Sequence, residues 1–321
     1  MVLLITTIYS ALISIFLSLI YQFLAMQYRL TKLSYFITLI RIQQWIKNLF
    51  VFLPMFFNKQ FVSYDSLFQA SIAFISFSFV ASAIYCFNDI IDVEFDKSHK
   101  TKKNRPIASG VISKREAKIC LSVCVVLGFL LPYFFSEFGL LWVLVSYFII
   151  NILYTLIFKQ IIVLDVILIA TSFVLRLLAG GVATSTELSH WIIIMVVLLA
   201  LFLAFAKRRD ELIIYLEEKV LVRKNINKYS LKFLDTTLKT LSLLIIILYL
   251  AYSFSPEIKM QFNSSYIWLT SIFVVLGLFR YNKLIKLRHS YVNPTKILLK
   301  DFPLQLIVAG WIISFYIIIY V

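Results

Sequence analysis

The sequence predicts an all-α, polytopic membrane helical bundle, and three observations carry that prediction. Hydrophobic residues make up 61% of the 321 positions and charged residues 15%, with a mean hydropathy of +0.92, too apolar for a soluble domain with a polar shell. Apolar runs near the roughly 20 residues that cross a bilayer recur along the chain. Charge is uneven as well: 31 Lys and Arg against 16 Asp and Glu give a net +15, and the bases gather in short segments between the apolar runs. Such segments set membrane orientation more often than they bind nucleic acid, which is not expected as a partner. Cys86, Cys120 and Cys124 lie in or beside apolar runs without metal-type spacing. They read as core residues rather than as disulfide or zinc positions.

Taken in order, residues 4–25 form the first apolar run, which lacks a positive start and a small-residue cleavage site and so reads as a membrane helix, not a removable signal. Arg29 and Lys32 follow it. The stretch RIQQWIKN at 41–48 then interrupts a second apolar run that ends near Phe57. On an α-helix Arg41, Gln44 and Asn48 share a face with Lys47 beside it, which suits either an interfacial anchor or the wall of a site. Residues 67–90 make the next span. Spans over 117–135 and 140–158 are joined by SEFG alone, so they must be antiparallel neighbours. Asn151 and Tyr154 share a face of the second, and Lys159 stands at its end.

The span over 162–183 carries Asp165 and Arg176 on one face, about three turns apart. A charge at that depth is costly unless it meets a cavity or a partner, so Arg176 reads either as a site residue or as half of an internal ion pair. Ala179, Gly180, Gly181 and Ala183 invite close approach by a neighbour. Residues 190–206 follow, ending in AKRRDEL, then a polar segment to 237 and spans over 238–255, 265–282 and 302–321. Ten spans with alternating loops put 28 of the 31 Lys and Arg on one face, Lys59 and Lys259 on the other, and Arg176 within a span. The positive-inside rule assigns the rich face to the cytoplasm and both termini to the outside.

Chemistry concentrates in Asn88 to Gly110, NDIIDVEFDKSHKTKKNRPIASG. Asn88, Asp92 and Asp96 recur every four residues and so line one helix face, a turn apart. Oxygen ligands of this kind suit Mg2+, which keeps waters and is completed by substrate phosphates. Lys97, Lys100, Lys102, Lys103 and Arg105 supply the complementary charge for a diphosphate.

The run NDxxDxxxD followed by RPIASG resembles the UbiA superfamily of intramembrane prenyltransferases. Further likeness, to the branch that moves phosphoribose onto decaprenyl phosphate, lies in RIQQWIKNLFVFLP at 41–54, YTLIFK at 154–159, VLRLLAGGVA at 174–183, KRRDEL at 207–212 and FRYNKL at 279–284. The resemblance implies a UbiA-like nine-helix core over residues 31–321, with residues 1–30 as one additional N-terminal transmembrane helix. It implies phosphoribosyl diphosphate and a polyprenyl phosphate as substrates at the cytoplasmic side of a bacterial plasma membrane, ahead of a lipid-linked arabinose donor, and leaves room for a homo-oligomer.

Carried over by residue, it makes Asp92 and Asp96 Mg2+ ligands, with Asn88 supporting the donor. Asp89 points elsewhere and orients a base or the loop. Lys102 and Arg105 match phosphate-binding positions, while Lys47, Tyr154, Lys159, Lys207 and Arg208 are rim contacts; Gln44 and Arg176 join them as substrate-binding candidates. One departure is Lys100 after His99, where the family usually has proline, which implies a less rigid loop. Two other readings stay open: an aromatic polyprenyltransferase of the same fold using a prenyl diphosphate, and a non-enzymatic lipid or ion carrier. Against the first, such enzymes generally carry a second DxxxD, whereas Asp210 here is followed four residues on by Ile214. Against the second, a carrier has no use for a ligand triad beside a basic phosphate loop.

Overall fold

A computed structural model describes residues 32–98, 102–135, 138–219, 225–286 and 294–320. The expected helix over 4–25, together with His99 and Lys100, lies outside them. All regular structure among the described residues is helical, and eight helices are long and apolar enough to cross a membrane. We number them α1 (Tyr64–Ile91), α2 (Lys114–Phe134), α3 (Phe138–Leu156), α4 (Leu164–Ala183), α5 (His190–Glu218), α6 (Leu231–Phe254), α7 (Ser271–Lys286) and α8 (Phe302–Tyr320). They correspond to eight of the expected spans, and the protein is a multi-pass membrane protein.

Local chemistry sets the helix starts. Ser63, Ser113, Ser189 and Ser230 cap α1, α2, α5 and α6, each hydroxyl accepting from a first-turn N–H, and Glu116 completes a capping box at α2. One half of the bundle packs α1, α3 and α4 around Phe77, Leu144 and Leu175. The other packs α5, α6 and α7 around Phe202, Leu238 and Leu278. Cys86 and Cys124 are buried, Cys120 is half-buried, and all three are free.

The second expected span is where the structure departs from the prediction. A helix over 32–40 stops at Arg41, whose backbone is left-handed (φ 54°, ψ 52°), and the chain continues as a 3-10 helix, Ile42–Phe52, and a short α-helix, Leu53–Phe57. An eleven-residue 3-10 run is uncommon, and irregular backbone at membrane depth persists only inside protein or against a cavity. Here α4 provides the cover. A Cβ on Gly180 would stand 1.9 Å from the Val51 carbonyl oxygen, so the contact needs glycine. Because a 3-10 helix repeats every three residues, the α-helical face of Arg41, Gln44 and Asn48 does not form. Asn48 instead is buried, donating to Ser78 Oγ at 2.8 Å, while Lys47 and Phe50 line the interior cavity.

Contacts between helices sort the connecting segments onto two ends. Lys159 meets Asp92 at 2.6 Å, Lys32 pairs with Glu116, and Arg209 joins Asp235 and the Ile285 carbonyl. At the opposite end Thr186 donates to Gln60 and Tyr320 to the Phe56 carbonyl. The described base-rich segments therefore share one end of the bundle.

Candidate active site

The motif keeps its register across a helix break. Although α1 stops at Ile91 and a short helix, Val93–Ser98, begins, the Asp92 N–H donates to the Asn88 carbonyl at 2.9 Å and the Asp96 N–H to the Asp92 carbonyl at 2.8 Å. Asn88, Asp92 and Asp96 thus stay a turn apart. Asn88 and Asp92 line a cavity of about 1660 Å³.

Each of the three has a distinct partner. Thr155 on α3 donates its hydroxyl to Asn88 Oδ1. Lys159 Nζ donates to Asp92 Oδ1 at 2.6 Å. Asp96 is 1% exposed; its Oδ2 accepts from Arg105 Nη1 at 2.7 Å, and its Oδ1 has no hydrogen-bond partner. Burial pushes the Asp96 carboxyl above its ordinary range, with Arg105 pulling the other way. Asp89 is buried off the cavity and accepts from Arg41 and, at 3.1 Å, from Arg105, so it anchors two guanidiniums. Lys102, its ammonium 5.3 Å from the Phe95 ring centre, lines the cavity together with Arg105.

A divalent cation fits this corner. The donors are hard oxygens, and Asp96 Oδ1 is a buried carboxylate oxygen left without a hydrogen bond. Among the described residues no three His, Cys, Asp or Glu side chains form a ready cage, so waters and ligand phosphates would complete the shell.

Across the cavity, α5 is arranged differently. Lys207, Asp210 and Glu211 line it, with Lys207 Nζ 3.9 Å from Glu211. Arg208, expected at the rim, is not there: it is fully buried, its Nε 3.0 Å from Asp165 Oδ2 and its Nη1 donating to Glu211. A guanidinium enclosed by two carboxylates has its charge compensated inside the protein, even with Nη2 lacking a hydrogen-bond partner, and is withdrawn from any ligand. Asp165 is accordingly paired across helices, not with Arg176 along α4.

Arg176 lines a deeper part of the cavity. Its hydrogen bonds go to neutral groups, Asn48 Oδ1 at 2.8 Å, the Ser172 carbonyl at 2.6 Å and the Tyr147 hydroxyl at 3.2 Å, and the rings of Phe77, Tyr147 and Phe173 surround it at 4.9, 5.1 and 5.3 Å. Dipoles and ring faces, rather than a carboxylate, make the buried charge tolerable. Beyond the charged mouth the walls are apolar, with Phe50, Leu53, Trp191, Phe202, Trp311 and Phe315.

Of the residues singled out in the sequence, Lys47, Asn88, Asp92, Lys102, Arg105, Tyr154, Lys159, Arg176 and Lys207 come together on the cavity wall. Gln44, Asp89, Asp96 and Arg208 lie off it. Three contributors went unnoticed. Thr155 sits four residues after Asn151, a spacing that could have revealed it, whereas Tyr229 and Asn225, which brace the turn carrying Lys159, leave no local signal.

A mouth of carboxylates and bases above an apolar body, enclosed by membrane-spanning helices, defines a membrane-embedded protein with an amphipathic internal cavity. Comparison narrows this class. The profile of the UbiA prenyltransferase family matches residues 49–299; the chain belongs to that family and is a prenyltransferase-type enzyme. Decaprenyl-phosphate phosphoribosyltransferase of Mycolicibacterium smegmatis is 29% identical over 287 residues, covering 86% of this chain and 89% of that protein. The protein of the same name from Mycobacterium tuberculosis H37Rv is 30% identical over 280 residues, covering 85% and 90%. Among solved structures, a UbiA homolog from Archaeoglobus fulgidus bound to GPP and Mg2+ shares the fold with a TM-score of 0.65 at 21% identity, covering 89% of this chain and 100% of that one.

Proposed function

We propose that the protein transfers 5-phosphoribose from phosphoribosyl diphosphate to a polyprenyl phosphate, releasing diphosphate, with Mg2+ as cofactor and the site open to the cytoplasm of a bacterium. The supporting observation is the asymmetry of the mouth. One acidic corner, Asn88, Asp92 and Asp96, is faced by Lys159 and Arg105, while the α5 side presents Lys207 beside Asp210 and Glu211 with no second pair of carboxylates four residues apart. Relatives named decaprenyl-phosphate phosphoribosyltransferase, matched over most of both chains, support the same substrates. The positive-inside rule assigns the base-rich end to the cytoplasm, where a water-soluble sugar phosphate reaches it.

In this reading Asp92, Asp96 and the Asn88 amide oxygen hold Mg2+, which when bound neutralises charge on the departing diphosphate. Lys102, Arg105 and Lys159 grip diphosphate oxygens. Lys207 and Tyr154 place the lipid phosphate on the other side of the ribose, so that its oxygen attacks the anomeric carbon opposite the leaving group. Positive character at that carbon is met by the phosphate charges already in place. A phosphate monoester is largely ionised near neutral pH, its second pKa being about 6, so no protein base is required. The apolar walls receive the isoprenoid chain.

An aromatic prenyl transfer has one observation in its favour, Asp210 on the cavity wall, and a single assay separates the two. Membranes containing the protein, given labelled phosphoribosyl diphosphate and several polyprenyl phosphates, should form a labelled lipid. Product from a prenyl diphosphate and an aromatic acid, with none from phosphoribosyl diphosphate, would replace this reading with the aromatic one.

A further inference from the structure

The turn between α3 and α4 carries Lys159 and is strained. Val163 has φ 66° and ψ −45°, and the Leu164 N–H donates to the Ile162 carbonyl at 2.7 Å, which makes a γ-turn of the rare positive-φ kind. A β-branched residue is an outlier there and persists only if its surroundings hold it. Two side chains from the segment after α5 do so. Tyr229 Oη accepts from the Val163 N–H at 3.1 Å, and Asn225 Nδ2 donates to the Lys159 carbonyl at 3.3 Å.

Both clamp residues are buried, Tyr229 at 6% and Asn225 at 2% exposure, and the clamp is itself anchored. The Tyr229 hydroxyl donates to Asp165 Oδ1 at 2.9 Å, Asp165 Oδ2 meets Arg208 Nε at 3.0 Å, and Arg208 reaches Glu211 on the cavity wall. A continuous set of buried polar contacts thus runs from the α5 side of the mouth to the main chain on both sides of the turn, and Lys159 Nζ then reaches Asp92. The charges are compensated within this set, and although Arg208 Nη2 and Asn225 Oδ1 lack hydrogen-bond partners, the contacts that are made fix the geometry of the turn.

We infer that Tyr229 and Asn225 are positioning residues that hold the strained turn and thereby set Lys159 against the Asp92 corner, where it grips diphosphate. The inference rests on the proposed diphosphate site but not on which diphosphate ester is the substrate. Tyr229→Phe keeps the ring and removes the acceptor of the Val163 N–H. The probe is inorganic diphosphate with Mg2+, read as the concentration giving half-maximal thermal protection of the purified protein.

Lys159→Met should weaken that binding by about tenfold, Tyr229→Phe by a similar factor, and the double variant no more than either alone, because both act through one ammonium group. In the membrane assay Tyr229→Phe should raise KM for phosphoribosyl diphosphate several-fold while KM for polyprenyl phosphate stays within twofold. Should Tyr229→Phe fail to fold, Asn225→Ala is read in the same cycle. Unchanged diphosphate binding in Tyr229→Phe, or multiplicative losses in the double variant, would overturn the positioning role. A non-multiplicative cycle in a protein that makes no phosphoribosyl lipid would uphold the clamp while removing the proposed reaction.

Discussion

On the α1 side of the cavity mouth Asp92 stands on the wall among bases while Asp89 and Asp96 are buried against Arg105; on the α5 side a guanidinium is the group enclosed, and carboxylates hold it. Asp92 lines the cavity with Lys159 against it and Asp96 has an oxygen without a hydrogen bond, whereas Arg208 is sealed between Asp165 and Glu211 and leaves Lys207 at the wall beside Asp210 and Glu211. The two segments look alike as strings of charge. They differ in which groups are buried, and in the proposed reading the α1 side holds the metal and diphosphate while the α5 side receives the single lipid phosphate.

The largest expected effect tests the α1 side. Asp92→Asn or Asp96→Asn should lower turnover roughly a hundredfold or more, about 2.7 kcal/mol of barrier, while the protein still folds, because a neutral amide cannot replace the carboxylate charge. Near-normal turnover in either variant would remove the metal assignment. On the α5 side the expected loss is of stability. Arg208→Leu leaves Asp165 and Glu211 buried without their counter-charge, at a cost of roughly 3–5 kcal/mol, visible as a large fall in Tm in detergent; an unchanged Tm with weakened lipid binding would return Arg208 to the rim.

Lys207→Ala sharpens the contrast with its neighbour. Its ammonium lies 3.9 Å from Glu211 and its side chain is 37% exposed, so Tm should hardly move, while polyprenyl phosphate binding should weaken about tenfold, near 1.4 kcal/mol. Smallest is the effect at a pair outside the cavity lining, where Asp301 accepts from the Leu304 N–H at 2.9 Å at the start of α8 and pairs with Arg280 at 2.7 Å. Asp301→Ala should cost about 1 kcal/mol as a lost cap. Arg280 holds the Asp301 carboxyl below its ordinary range, so its contribution is present at neutral pH and disappears as pH falls through the depressed folded-state value. The difference in Tm between the variant and the parent should therefore shrink in acid.

What could be read in the sequence was local or additive. The spacing of Asn88, Asp92 and Asp96 survives the break after Ile91 because main-chain bonds span it, and the partition of bases is a sum over segments that needs no packing detail. What could not be read depended on contacts between distant residues. The face predicted for Arg41, Gln44 and Asn48 assumed 3.6 residues per turn, but the close approach of Gly180 to Val51 accommodates a 3-10 segment there. Asp165 and Arg176 share a helix, yet Asp165 takes its counter-charge from Arg208, 43 positions on. Charge patterns within KRRDEL cannot say which base turns inward.

The division of the mouth is tested most directly by thermal protection of the purified protein with each substrate, with and without Mg2+. Phosphoribosyl diphosphate should raise Tm only when Mg2+ is present, polyprenyl phosphate should raise it with a weaker metal requirement, and Lys207→Ala should diminish the second effect more than the first, since a ligand stabilises the state it binds. Protection by a prenyl diphosphate with Mg2+, and none by phosphoribosyl diphosphate under any condition, would contradict the account.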